Sequence, residues 1–248
     1  MSVIYANAMT GSGQPDGAFW APAIGSAMFE RFCQLFFSRY CPLAVEGRHH
    51  IPDESFVLCS NHASHIDSAA LMTASGRKFR NFALLGASDY FFHSRGVRWA
   101  VAPFMNVIPI ERHPGPKSLS ACLSTSRRFL RQTGGALILY PEGTRSASGE
   151  MGPLKAGAGL FAVELGVPVI PAYIEGSHRI LRKGESVPRP GPLAVRFGPA
   201  LRVPQSRLGD VSNKERRIVI VERLAASIRL LGGMSEVAEL VTEVPGKV

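Results

Sequence analysis

Two short segments of the chain carry side chains that together could activate a hydroxyl group and hold an anion. In residues 61–67, His62 precedes Asp67 by five positions, and residues 141–146 place a carboxylate, a glycine and Arg145 in one tight turn. A histidine oriented by a carboxylate can remove a proton near neutral pH. The planar fork of arginine suits phosphate oxygens. The two segments therefore predict an enzyme that activates a hydroxyl on a substrate with a negative group.

The spacing between His62 and Asp67 requires a particular backbone. On one continuous helix, five residues correspond to about 140° around the axis, so the two side chains would not face each other. Residues 56–60 have the pattern of a buried strand, and residues 67–75 that of a helix closed by Gly76. We therefore predict that His62 lies on the strand-to-helix turn and Asp67 in the first helical turn. There the carboxylate could accept from one ring nitrogen and fix the tautomer.

Other roles for these side chains remain open on sequence grounds. A histidine–aspartate pair at this spacing can be purely structural, and His62, His65 and Asp67 could together bind a metal ion. The spacing lacks the helical His-Glu-x-x-His geometry and no cysteine joins the group, so we predict no metal and no cofactor. His65 is expected to pack or to lie on the surface. No Gly-x-Ser-x-Gly segment is present, which weakens a serine-hydrolase interpretation.

Arg112 and Arg145 are the candidate anion-binding residues. Two converging arginines would hold a phosphomonoester more selectively than scattered lysines, although either could instead be exposed or paired with a nearby glutamate. Gly143 would allow close backbone approach in the turn. Glu142 is predicted either to hydrogen-bond a substrate hydroxyl or to brace the turn.

The composition of the 248 residues favours a globular protein with an anionic partner. Hydrophobic residues make up 46% and charged residues 19%, and the formal net charge is +9. The basic residues are scattered without a nucleic-acid-binding motif, so we predict no nucleic acid partner and favour acidic ligands or an anionic membrane surface. The four cysteines show no paired short spacing, which indicates neither a zinc knuckle nor a disulfide framework and favours a reducing compartment.

Composition and periodicity divide the chain into four regions. Residues 1–18 are predicted to be a disordered lead, because they are small and polar and do not resemble a signal peptide. Residues 19–44 predict an amphipathic helix whose phenylalanine-rich face either lies in a membrane interface or packs across the domain. Residues 45–232 predict one α/β domain, and residues 233–248 a loose C-terminal tail. No apolar run is long enough to predict a transmembrane helix.

Strand and helix patterns alternate within the domain, which predicts a central, mostly parallel or mixed sheet flanked by helices. The chemistry-bearing residues follow strands, where sites of such sheets usually lie. Pro109 should confine its strand to an edge of the sheet or to a strand end. The predicted strands are residues 56–60, 82–85, 107–110, 136–140, 167–174 and 193–197. The predicted helices are residues 67–75, 118–133, 155–165 and a C-terminal helix opened by a capping box at residues 212–215.

Four ordered blocks stand out in the sequence: residues 60–67, 107–112, 140–146 and 167–172. They resemble the blocks of the glycerolipid acyltransferase family, with the 1-acylglycerol-3-phosphate acyltransferases of bacterial phospholipid synthesis as the closest members. The first and third blocks together are highly specific, whereas the second and fourth are weaker. Lys155 and Gly157, which follow the third block, also look familial. The likeness covers roughly residues 45–205.

The resemblance implies a role for each matching residue. His62 would be the general base and Asp67 its orienting partner. The substrate-binding positions would be Arg112, Glu142, Gly143, Thr144 and Arg145. A lysophospholipid hydroxyl, most simply that of lysophosphatidic acid, would attack the thioester of acyl-CoA or acyl carrier protein without a covalent acyl-enzyme or a metal. The enzyme would lie in the cytoplasm, peripherally associated with the cytoplasmic face of the membrane.

Some positions depart from the family pattern and concern the acceptor rather than the reaction class. Asn106 stands where glycine is common, Tyr140 stands where phenylalanine is commoner, and residues 87–90 lack a basic residue that members often carry. Another lysolipid or an ornithine lipid is therefore an alternative acceptor. Two alternatives from other classes are a metal-dependent hydrolase and a non-catalytic lipid-binding module.

Overall fold

The computed structural model describes residues 20–88, 103–111, 114–202 and 212–233. The predicted lead, residues 1–18, lies outside the described residues, as does all of the predicted tail except Gly233. Arg112 also lies outside them. The predictions made for these parts of the chain therefore stay predictions.

Within the described residues, seven strands form one mixed sheet. They are β1 (Leu43–Glu46), β2 (Phe56–Ser60), β3 (Phe82–Ala87), β4 (Asn106–Ile110), β5 (Ala136–Leu139), β6 (Val169–Glu175) and β7 (Leu193–Phe197). From edge to edge the order is β1, β7, β6, β2, β5, β3, β4, and every neighbouring pair is parallel except β6 and β7. The strand that contains Pro109 is an edge strand, as predicted. The predicted α/β class with a mostly parallel sheet is confirmed.

Helices cover both faces of this sheet. They are α1 (Ala23–Arg39), α2 (Asp67–Ser75), α3 (Pro116–Thr133), α4 (Gly157–Leu165), α5 (Ser177–Ile180) and α6 (Asn213–Leu231), with single 3₁₀ turns at Arg48–His50 and Phe79–Asn81. The predicted bounds of α2 match the structure, and the capping box at Ser212 is present. The helix within residues 19–44 is shorter than predicted, because the chain leaves it at Tyr40 and Pro42 leads into β1.

The core lies on both sides of the sheet, and alternate residues of each strand contribute to opposite sides. In β2, Phe56 and Leu58 pack with residues of α1 and α2, whereas Val57 and Cys59 pack with residues of α3, α4 and α6. All five residues of β2 are buried, as expected for a central strand covered on both faces. The four cysteines of the chain are free and buried.

Close contacts fix α1 to the segment that leads into β4. The backbone N–H of Ala21 donates to Asn106 Oδ1 at 3.0 Å, and Asn106 Nδ2 donates to the carbonyl of Phe82 at 2.7 Å. A Cβ atom on Gly25 would lie 1.9 Å from the carbonyl oxygen of Pro103, so only glycine permits this approach. The asparagine that departs from the family pattern thus joins the N-terminal segment to the edge of the sheet. No described helix has the length and apolar character needed to cross a bilayer.

Candidate active site

The chain turns out of the sheet immediately after β2. There the side chain of Asn61 takes the place of a strand residue: its Nδ2 donates to the carbonyl of Ile174 at 2.9 Å, and its Oδ1 accepts from the N–H of Ile174 at 2.8 Å. These bonds satisfy the backbone of β6 where β2 has ended, and Asn61 itself is buried. The next residue, His62, therefore lies outside the sheet, at the carboxyl end of the central strands.

His62 and Asp67 meet as the strand–turn–helix arrangement predicts. His62 Nδ1 lies 2.8 Å from Asp67 Oδ2, and the carboxylate is fully buried at the first residue of α2. The same oxygen accepts the backbone N–H groups of Ala63 and Ser64, each at 2.8 Å. An ionised carboxylate only accepts hydrogen bonds, so Nδ1 carries the proton and Nε2 keeps its lone pair. The arrangement suits a general base that acts through Nε2.

An aromatic ring lies against one face of the imidazole. The rings of His62 and Tyr140 are stacked, with centroids 3.7 Å apart and planes within 11° of parallel. The Tyr140 hydroxyl lies 2.7 Å from Ser68 Oγ, in the first turn of α2. Burial, and secondarily the negative charge of Asp67, raises the pKa of Tyr140 well above its ordinary value. The ring therefore remains a neutral phenol at physiological pH.

The turn after β5 is bonded to both backbone groups of His62. Glu142 Oε1 accepts the N–H of His62 at 2.8 Å, and the N–H of Ser146 donates to the carbonyl of His62 at 2.7 Å. The second carboxylate oxygen, Oε2, accepts the N–H of Gly152 at 2.8 Å. Glu142 is buried, and burial raises the pKa of its carboxyl group. These contacts brace the turn, which is one of the two roles that the sequence allowed for Glu142.

Gly143 is favoured by its backbone conformation, and the side chain of Lys155 lies close to it. Its φ is +71°, in the left-handed region, and its N–H donates to the carbonyl of Tyr140 at 3.0 Å. A Cβ atom at this position would lie 2.7 Å from Lys155 Nζ. Lys155 itself is exposed, and its backbone N–H donates to the carbonyl of Pro141 at 2.8 Å. A lysine side chain therefore lies directly on the glycine of the turn.

Lys155 belongs to the surroundings of this turn, although the sequence suggested no role for it. It lies nine residues after the turn of residues 141–146, which follows no motif spacing, and a lysine there looks like any solvated charge. The only sequence signal was its familial appearance after the third block. The loop of residues 146–155 folds back on the turn, which is a matter of tertiary structure.

Arg145 and His65 lie near one another beside the His62–Asp67 pair. Desolvation of the His65 ring, followed by the positive charges of Arg145 and His62, lowers the pKa of His65 to about 4, although part of the residue is exposed to solvent. His65 is therefore neutral near pH 7, and Arg145 supplies the positive charge at this point. Arg145 is partly buried, whereas Thr144 and Gly143 are exposed. The structure thus brings together every predicted site residue that it describes.

The predicted metal alternative finds no ligand set in the described ranges. No group of three or more histidine, cysteine, aspartate or glutamate side chains in residues 20–88, 103–111, 114–202 or 212–233 could hold a metal ion. His62 and Asp67 bond to each other instead. Arg112, the other predicted anion-binding residue, lies outside the described residues. The described strand before it in the chain is β4, whose carboxyl end lies two strands from that of β5.

Two known proteins with similar sequences are both 1-acyl-sn-glycerol-3-phosphate acyltransferases. A chloroplastic 1-acyl-sn-glycerol-3-phosphate acyltransferase of Brassica napus is 32% identical over 142 residues, which cover 56% of this chain and 39% of that protein. A 1-acyl-sn-glycerol-3-phosphate acyltransferase of Limnanthes alba is 26% identical over 193 residues, covering 77% and 66%. The chain thus spans about two fifths of the first of these relatives and about two thirds of the second.

A solved structure shares the fold. The crystal structure of the 1-acyl-sn-glycerophosphate acyltransferase of Thermotoga maritima matches with a TM-score of 0.61 and 24% sequence identity, over 83% of this chain and 79% of that chain. The family model described as Acyltransferase matches residues 42–175, which include both histidine-bearing and glutamate-bearing turns of the site. The resemblance carried by the four sequence blocks is confirmed. By this match, which covers more than half of its residues, the chain belongs to the Acyltransferase family.

Proposed function

We propose that this protein transfers a fatty acyl group from an acyl thioester to the hydroxyl of a lysophospholipid, with lysophosphatidic acid as acceptor and phosphatidic acid as product. The observation that carries the proposal is the His62–Asp67 pair, 2.8 Å apart, held against a turn that carries Arg145. The relatives named above are 1-acyl-sn-glycerol-3-phosphate acyltransferases, which supports the same choice of acceptor.

The first chemical step uses the uncommitted nitrogen of His62. Nε2 takes the proton of the acceptor hydroxyl while the hydroxyl oxygen attacks the thioester carbonyl, so a C–O bond forms and the carbonyl becomes a tetrahedral oxyanion. The imidazole is now a cation, and the buried carboxylate of Asp67 stabilises it through the Nδ1 hydrogen bond. Asp67 also keeps the ring in the tautomer that the step needs.

The second step returns the proton. The oxyanion collapses, the C–S bond breaks, and the imidazolium gives its proton to the departing thiolate. The products are an ester and a free thiol, so atoms and charges balance without a covalent acyl-enzyme. Backbone amides are the donors best suited to the oxyanion, because they are fixed in place before the negative charge develops.

Two cations near the turn are suited to the acceptor's phosphate. Arg145 is partly buried beside His65, and Lys155 lies on Gly143. Because the low pKa of His65 keeps that ring neutral near pH 7, the positive charge at this point comes from Arg145. Arg112 would add a further guanidinium if its predicted role holds.

The exposed face of α1 is proposed to dock on a lipid surface. Four apolar side chains at helical spacing are more than half exposed: Ile24 (76%), Met28 (65%), Phe32 (61%) and Leu35 (60%). We call this set the α1 stripe. Arg31 and Arg39 are exposed on the same helix, and the net charge of the chain is +9. An apolar stripe flanked by arginines fits an anionic bilayer, and the proposed substrates are themselves amphiphiles. The cytoplasmic face of a membrane is therefore the proposed location.

The direct test supplies the purified full chain with vesicles that contain lysophosphatidic acid and a labelled acyl donor, either acyl-CoA or acyl carrier protein. Labelled phosphatidic acid is expected with at least one donor, and the ratio of the two rates identifies the donor. His62→Ala should lower turnover by about 100-fold or more, whereas His49→Ala, an exposed histidine remote from the motif, should not.

Three outcomes would count against the proposal. Acylation of no lysolipid in detergent or vesicles would refute it outright. Loss of activity on addition of a chelator would favour the metal-dependent hydrolase. Unchanged biological effect of His62→Ala would favour a non-catalytic lipid-binding module. Acylation of another lysolipid or an ornithine lipid, but not lysophosphatidic acid, would keep the reaction and change the acceptor.

A further inference from the structure

The His62 ring is restrained in two independent ways. The hydrogen bond from Nδ1 to Asp67 acts at the edge of the ring, in its plane. That contact alone leaves the ring free to tilt about the axis of the hydrogen bond. The stacked ring of Tyr140, with centroids 3.7 Å away, acts on the face and removes the tilt. Together the two contacts determine the direction in which Nε2 points.

Tyr140 is itself anchored at both ends. Its backbone carbonyl accepts the N–H of Gly143, so its position is tied to the turn that carries Glu142. Its hydroxyl is hydrogen-bonded to Ser68 Oγ at 2.7 Å, next to Asp67 in the chain. One side chain therefore spans the two segments that build the site, from the end of β5 to the first turn of α2.

The chemistry of the rings gives this stack a second consequence. A neutral aromatic face attracts a cation, and the attraction is absent when the imidazole is uncharged. Tyr140 remains neutral because burial, with the charge of Asp67, keeps its pKa high. The other titratable or charged groups around the ring are Asp67, Glu142 and His65, with Arg145 beside His65.

We propose that Tyr140 is a positioning residue of this enzyme: its ring holds the face of His62 and stabilises the imidazolium formed during the reaction, and Ser68 anchors the Tyr140 hydroxyl. The inference rests on the proposed function for its catalytic consequence. The structural half, a ring held in place and a cation stabilised, does not depend on which substrate is used.

Three variants separate these contributions. Tyr140→Leu removes the aromatic face. Tyr140→Phe keeps the face and removes the hydroxyl, and Ser68→Ala removes the same hydrogen bond from its other side. Because the last two changes delete one interaction, the double variant should be no worse than either single one.

The first measurement needs no substrate. The full chain, with ¹⁵N-labelled histidine, is titrated by NMR, and the His62 ring signals are assigned by their loss in His62→Asn. In Tyr140→Leu the titration midpoint should fall by about half a pH unit, since the imidazolium loses its aromatic face. In Tyr140→Phe it should stay within about 0.2 units, because the face remains. An unshifted midpoint in Tyr140→Leu would overturn the cation-stabilising role.

The second measurement uses the acyltransferase assay across pH. Tyr140→Leu should lower kcat about tenfold with little change in KM, and its acid limb should move to lower pH with the NMR midpoint. Tyr140→Phe and Ser68→Ala should each lower kcat about two- to threefold. A change confined to KM, or an unmoved acid limb in Tyr140→Leu, would mean that Tyr140 only packs against the site.

Folding and function are controlled separately. Should Tyr140→Leu fail to fold, the cycle of Tyr140→Phe and Ser68→Ala still decides whether the hydroxyl anchor acts on kcat, and additive losses would refute the anchor. If the NMR midpoint shifts as expected while wild type acylates no lysolipid, the proposed function fails and the stacking role stands. If wild type acylates lysolipid and the midpoint does not shift, the proposed function stands and the cation-stabilising role of Tyr140 fails.

Discussion

The two ends of helix α2 use the same device for different purposes. At its first residue, the buried carboxylate of Asp67 accepts hydrogen bonds from two backbone N–H groups and from the Nδ1–H of His62. Two residues beyond its last, the guanidinium of Arg77 donates to the carbonyls of Pro52, Asp53, Glu54 and Gly134 at 2.9–3.3 Å. Both are charged side chains that satisfy loop backbone.

What differs is whether a reactive atom is left over. At the Arg77 end every bond closes a loop, and the guanidinium also lies over the ring of Phe56, 5.5 Å from its centroid. At the Asp67 end the bonds hold a ring whose second nitrogen remains available. We call these the closed end and the open end of α2. A dense network of charged hydrogen bonds therefore indicates a site only when it holds an uncommitted group.

The largest expected effect is at the open end. Asp67→Asn should lower kcat/KM by about 1,000-fold or more, because the amide no longer fixes the tautomer or stabilises the imidazolium. The fold should persist, since an amide oxygen can still accept backbone N–H groups. Kinetics with circular dichroism would check both points. Activity within tenfold of wild type would show that His62 does not depend on Asp67.

A smaller effect is expected for Glu142→Gln, which tests how Glu142 holds the backbone of His62 at the open end of α2. One carboxamide oxygen cannot replace two carboxylate oxygens, so either the N–H of His62 or that of Gly152 loses its acceptor. We expect kcat/KM to fall by about 10- to 100-fold as the backbone of His62 shifts. Glu150→Gln, an exposed glutamate of the following loop, is the matched control and should behave as wild type.

At the closed end the expected effect is on stability alone. Arg77→Ala removes the donors of several carbonyls and should lower the free energy of unfolding by about 2–3 kcal/mol, measured by urea denaturation. The kcat of the folded variant should remain within about twofold of wild type. Arg80→Ala, an exposed arginine nearby, should leave both quantities unchanged. A loss of kcat in Arg77→Ala would erase the distinction between the two ends.

The smallest effect concerns a region outside this comparison, the α1 stripe. Replacing Phe32 and Leu35 together by serine should weaken binding to anionic vesicles by about tenfold or more, because two exposed apolar side chains no longer enter the lipid. The measurement is vesicle cosedimentation. Ile218→Ser, at an exposed apolar position of α6, is the control. Equal binding of wild type and the double variant would show that the stripe meets something other than lipid.

Much of the fold was predictable because its signals are local. The predicted bounds of β2, and of the helix that starts at Asp67 and is closed by Gly76, agree with the structure. The capping box at Ser212 and the edge position of Pro109 follow equally from short-range chemistry. The predicted start of α4 is less accurate: the helix begins at Gly157 rather than at Lys155, because the backbone N–H of Lys155 donates to the turn at Pro141 instead.

The pairing of His62 with Asp67 was also within reach of the sequence. Two side chains five positions apart do not face each other on one helix. Because a strand precedes His62, the two side chains can meet only if His62 lies on the turn between that strand and the next helix. The chemistry of a histidine and a carboxylate then predicted a general base, and the blocks around it predicted the family, which the comparisons confirm. Local spacing, side-chain chemistry and motif were sufficient for this part.

Tertiary structure alone decided which groups hold His62 in place. The stack of Tyr140 on His62, the two backbone bonds of Glu142 and the approach of Lys155 to Gly143 join segments that are many residues apart. No short-range pattern encodes them, because they arise from β5 lying beside β2 in the sheet. The sequence thus determined the chemistry available to the protein, and the order of strands decided which side chains share one site.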